Sequence, residues 1–159
     1  MKELRLAVLP LRVLLVTFFL GLLVAQVMSM PGQFRHLAQE DPDLAYLRWP
    51  LTIWSILLLA CVQVIIVATW QLLDRVRADR IFSEDSFRWV DVIIVTMAVA
   101  WVLFVAMTSY LAYLASDPGA AVLPTGVSLC GAVGIMLMVV MRALLRQATT
   151  LRTDMEAVI

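Results

Sequence analysis

LTIWSILLLACVQVIIVATWQLL, residues Leu51 to Leu73, is the stretch that decides the fold. It contains no Asp, Glu, Lys or Arg, and at about 1.5 Å per residue a helix of this length covers the ~30 Å of a bilayer's hydrocarbon core. Stretches of similar character occupy 13–29, 90–114 and 121–141. A backbone amide in lipid has no water to bond, so only helices and closed barrels cross it. The chain therefore reads as all-α, a four-span, up-and-down transmembrane helix bundle forming one domain over residues 1–159.

Charge sets the expected orientation. Lys2, Arg5 and Arg12 precede the first span, Arg75, Arg77, Arg80 and Arg88 lie around the second connection, and Arg142, Arg146 and Arg152 follow the fourth span. Of the twelve basic residues only Arg35 and Arg48 fall elsewhere. Cytoplasmic flanks keep the Lys and Arg excess, which puts both termini and the middle loop inside a bacterial plasma membrane. Glu40, Asp41, Asp43 and Asp117 fall outside. Tyr46, Trp49, Trp54, Tyr110 and Tyr113 gather toward the outer boundary, with Trp70 and Trp89 toward the inner one, where amphipathic rings prefer to sit.

A chain of 159 residues with 63% apolar and 15% charged content suits a membrane bundle and leaves no room for a soluble domain. The middle loop mixes its arginines with Asp74, Asp79, Glu84, Asp85 and Asp91, which argues against direct nucleic-acid binding. The first apolar run is too long for a signal-peptide h-region and reads as a retained span. Cys61 and Cys130 lie mid-span on helices expected to sit diagonally, and read as small apolar packing residues.

Met30 to Pro50 reads as the one sizeable external loop, with Asp41-Pro42-Asp43 starting a short interfacial helix through Leu44, Tyr46 and Leu47. Ser116-Asp117-Pro118-Gly119 is turn chemistry between the third and fourth spans. Ser83 suits an N-cap, Glu84 and Asp85 suit the first turn, and Phe82 can staple onto Phe87.

At Arg80-Ile81-Phe82-Ser83-Glu84 the chain begins to resemble a known family. The four spans, that cytoplasmic turn and the closing Leu151-Arg152-Thr153-Asp154-Met155-Glu156-Ala157-Val158-Ile159 are similar to the short bacterial membrane proteins grouped as domain of unknown function 2975. The resemblance covers nearly the whole length and carries no activity with it. It implies a regulatory pairing, because similar members are often encoded beside small helix-turn-helix regulators. Many members close on an acidic-Leu-Thr-Val ending, where this chain has Glu156-Ala157-Val158-Ile159.

Catalytic chemistry finds little to work with. His36 is the lone histidine, and the sequence shows no phosphate-cradling glycine loop, nucleophile elbow or paired intramembrane carboxylate. No enzyme, cofactor or metal is expected. A transporter would place ionisable groups at the midplane, and there only Gln63 is strongly polar. Gln63 reads as an interhelical hydrogen bond, and Trp101, at similar depth, as core packing. Arg12, Arg88, Asp91, Arg142 and Arg146 gather at the inner boundary, where Asp91 is placed to pair with Arg142 or Arg12 and the surplus arginines meet anionic headgroups.

Two small-residue stripes suit close helix approach: Thr17, Gly21, Ala25 and Ser29 on the first helix, and Gly126, Cys130 and Gly134 on the fourth. Closure of the monomer and a homo-oligomer interface both follow from them. Leu144, Ala148, Leu151, Met155 and Val158 recur at helical spacing, so the fourth helix is expected to continue as an amphipathic tail over 142–159. Its apolar face, with Leu151, Met155 and Val158 as anchors, fits a cytoplasmic helical partner, the membrane surface or the middle loop. The sequence thus favours a non-enzymatic interaction or regulatory protein recruiting a cytoplasmic partner. A small transporter or transporter subunit is the alternative.

Overall fold

The structure, a computed structural model, describes residues 2–40, 42–77, 84–114 and 118–156. Five α-helices carry it: α1 (Lys2–Val24), α2 (Met30–Glu40), α3 (Arg48–Arg77), α4 (Glu84–Leu114) and α5 (Val122–Glu156). A π-helical turn, Ala25–Ser29, joins α1 to α2 without a break, and 3-10 turns at Pro42–Leu47 and Pro118–Ala121 introduce α3 and α5. Val8–His36, Ala45–Arg75, Ser86–Leu114 and Val122–Leu151 are each long and apolar enough to cross a membrane.

The expected external loop over Met30 to Pro50 is the main correction. Most of it is helix, because the π turn accommodates Pro31. Pro31 has no N–H to donate, and in a regular helix its ring would press on the carbonyl of Val27. Here the Met30 N–H reaches back five residues to the Ala25 carbonyl, which widens the turn just ahead of Pro31. The interfacial helix expected after Asp41 is the 3-10 turn Pro42–Leu47, with Leu47 buried at its end. Asp41, Phe82, Ser83, Ser116 and Asp117 lie outside the described residues.

Each spanning helix packs against its sequence neighbour, and no Cα of α1 approaches α4 or α5 within 8 Å among the described residues; the same holds between α3 and α5. The spans form an open row in place of the expected closed bundle. Hydrogen bonds cross every interface: Gln26 meets Gln63, Trp54 meets Leu103 and Trp101 meets Ser128. The core follows the row. Leu51, Thr52, Ile66, Ala68 and Leu73 are buried on α3, with Ala68 only 1% exposed, while α5 buries none of its described side chains. Outward apolar residues such as Val13, Val95 and Met136 are those a lipid phase would cover.

The small-residue stripes lie mostly on the outside of the row. Gly21 and Gly126 have nothing within 4 Å of where a Cβ would lie, Cys130 faces outward, and Gly134 meets only the Met97 methyl in ordinary contact at 3.8 Å. Of the α1 stripe only Ala25 is half-buried. Among the described residues Gly134 alone of the stripe glycines meets a neighbouring helix.

Candidate functional site: a polar seam along the helix row

Polar groups lie between the helices at two levels. At one end of the row, three consecutive interfaces are each held by an arginine. Arg12 of α1 ion-pairs with Asp74 of α3 and lies over the Trp70 ring at 5.1 Å. Arg75 of α3 lies over the Trp89 ring of α4 at 5.6 Å. Arg142 of α5 donates through Nη2 to Asp91 Oδ2 of α4 at 2.7 Å and ion-pairs with that carboxylate, Nε lying close to Oδ1. Two edge helices are thus clamped to two central ones by the same residue pair.

Asp91 takes Arg142 of its two expected partners. Arg12 goes instead to Asp74, which the sequence places among the loop charges and which the structure places on the last turn of α3. Arg88 and Arg146 join neither clamp; both are exposed, and no ion pair holds them among the described residues. The charges stay near the helix ends because an ionised side chain at the bilayer centre costs about 2.5–3.5 kcal/mol on insertion scales.

The second level lies deeper. Gln26, inside the π turn, and Gln63 exchange amide hydrogen bonds, Gln26 Nε2 donating to Gln63 Oε1 at 3.3 Å and Gln63 Nε2 to Gln26 Oε1 at 3.1 Å. Gln26 Nε2 also lies 3.3 Å from the Ile56 carbonyl. Gln63 thus has the interhelical bond expected of it, and its partner Gln26 is the residue sequence reasoning missed. Ending the first span at Ser29 put Gln26 near a membrane face; the continuous helix moves it toward mid-depth.

Indoles tie the other interfaces. Trp54 Nε1 donates to the Leu103 carbonyl at 2.9 Å, so Trp54 points into the row instead of joining the boundary aromatics. Trp101 Nε1 donates to the Ser128 carbonyl at 2.7 Å and packs on Gly131, where a Cβ would lie 2.7 Å from Trp101 Cδ1. Tyr46, Trp49, Tyr110 and Tyr113 are exposed toward the end opposite the clamps. Among the described residues no three His, Cys, Asp or Glu side chains meet in a group that could hold a metal.

The expected docking face is described in part. α5 is helical to Glu156, and Leu144 and Leu151 are exposed on it, Leu151 by 64%. The side chain of Met155, and Val158 altogether, lie outside the described residues.

Four apolar helices joined by a polar seam define a multi-pass α-helical membrane protein. Residues 32–159 match the protein family of unknown function DUF2975, and the chain belongs to that family. No curated protein and no solved structure matches it.

Proposed function

We propose that this chain is a non-enzymatic interaction or regulatory protein of a bacterial plasma membrane, crossing it up and down four times with both termini and the clamped end in the cytoplasm. The partition of basic residues supports that orientation. One observation carries the functional part: α5 runs for 35 residues, about 15 more than the ~20 a span needs. The excess extends the arginine-clamped end as helix and presents Leu144 and Leu151 outward. Such a face offers helix-in-groove anchors to a cytoplasmic partner, and the family resemblance makes a small helix-turn-helix regulator the partner to look for first. The charges of Arg152, Asp154 and Glu156 would set its orientation more than its affinity.

Deleting residues 148–159 tests this directly. The shortened chain is expected to stay folded in the membrane and lose the co-purifying partner, and Leu151→Asp is expected to behave nearly the same. Retention of every partner by both variants refutes recruitment by the tail. The transporter reading would instead draw on the Gln26–Gln63 pair, whose amides are already matched to each other.

A further inference from the structure

Between α3 and α4 at the clamped end, Arg75, Arg88, Trp89 and Val92 line a notch of about 330 Å³. Its cations differ from those on either side. Arg12 and Arg142 each close on an aspartate, whereas no carboxylate among the described residues pairs with Arg75 or Arg88. Arg75 Nη1, like Arg12 Nε and Arg142 Nε, is buried without a hydrogen-bond partner, and the face of the Arg75 guanidinium is held over Trp89. A buried donor ordinarily has an acceptor, and this one belongs to a planar fork already fixed by stacking. The carboxylate side chains described on these two helices, Asp74 and Asp91, are engaged by Arg12 and Arg142.

We propose that the notch binds a phosphoryl group whose negative charge is not offset by a cation of the same headgroup, with Arg75 and Arg88 as its donors and Trp89 and Val92 as the apolar wall beside the ester. Guanidinium forks match phosphate oxygens in geometry and charge, and an indole beside an arginine at the end of an apolar span is the setting of a lipid headgroup. The same chemistry would accept free phosphate, so the experiment separates the two sources.

The full chain, purified in detergent, is titrated with phosphatidylglycerol or phosphatidylcholine and the bound lipid counted by native mass spectrometry. The wild type is expected to prefer phosphatidylglycerol by about tenfold, a preference that two basic residues at a membrane surface can supply. Arg75→Gln with Arg88→Gln should remove that preference, and so should Val92→Trp, which fills the notch while keeping both charges. Arg146→Gln, an exposed arginine outside the notch, should keep it. Should the double Gln variant fail to fold, Arg75→Lys with Arg88→Lys keeps the charge and loses the forks, and is expected to weaken the preference severalfold. Displacement of phosphatidylglycerol by millimolar inorganic phosphate identifies free phosphate as the ligand, and its persistence identifies the lipid. Equal binding of both lipids by the wild type overturns the proposal, as does a full preference in Val92→Trp or in the arginine variants.

Discussion

The two edge helices of the row are clamped alike at one end and held by opposite means along their length. The first span is joined to α3 by the Gln26–Gln63 amide pair, and between that pair and the clamp a groove of about 230 Å³ is lined by residues such as Leu15, Phe19, Ile66 and Trp70. α5 is joined to α4 by shape, with Trp101 laid on the bare backbone at Gly131. Lipid tails are as apolar as leucine, so burying hydrocarbon gives neither helix a reason to associate. One interface supplies that reason through matched polar groups, the other through the close approach of Trp101 to Gly131 and a single indole bond.

The largest effect is expected where packing decides. Gly131→Leu cannot be accommodated without moving Trp101, and overpacking of this kind costs about 1–3 kcal/mol. Loss of the Trp101–Ser128 bond adds to it, so thermal unfolding in detergent should show a large drop, together with a change in Trp fluorescence. A drop no larger than that of a lipid-facing substitution such as Val95→Leu would show that shape does not hold α5.

The amide interface should respond less and in a different pattern. Gln63→Leu leaves Gln26 unmatched, with a loss of ~0.6 kcal/mol and at most about 1.7 by analogy with other intramembrane hydrogen bonds. The double variant Gln26→Leu with Gln63→Leu should recover much of that loss, because no buried amide is then left without a partner. Strict additivity in the double-mutant cycle would mean that the two side chains do not interact.

The clamps come next. Asp91→Asn and Asp74→Asn should each cost about 0.2–1 kcal/mol, since both pairs are partly open to solvent, and the loss should shrink as salt is raised. A salt-independent effect would assign these residues a packing role instead. The smallest effect is expected at Gly21→Leu, where nothing lies within 4 Å of the added side chain: monomer stability should not change. If the particle becomes smaller without losing stability, the outward stripe of α1 is an interface between copies of the chain.

Length and hydropathy were enough to find the four spans, because crossing lipid imposes a requirement that composition alone reveals. The continuation of α5 past the fourth span was also legible, from the spacing of Leu144, Leu151 and Met155. The misses share a physical origin, for each depends on which face of a helix meets its neighbour. Pro31 ends a helix in most settings, and only the π turn before it permits continuation. The i, i+4 rule selected Gly126, Cys130 and Gly134, yet the facing side chain is Trp101, and its position selects Gly131. Asp74 looks like one more loop charge until α3 is seen to carry it alongside Arg12. Arg88 and Arg146 share the depth of the clamps without sharing their partners.

The orientation of the clamped end bears on every functional statement made for this chain, and site-directed labelling measures it. With Cys61 and Cys130 changed to Ala, single cysteines at Gln39 and at Arg146 lie on exposed helix surface toward opposite ends of the row. In intact cells, a membrane-impermeant maleimide is expected to label the cysteine at Gln39 and to spare the one at Arg146 until the membrane is permeabilised. Labelling at Arg146 with protection at Gln39 would invert the orientation and place the arginine clamps and the α5 tail outside the cell, out of reach of any cytoplasmic partner.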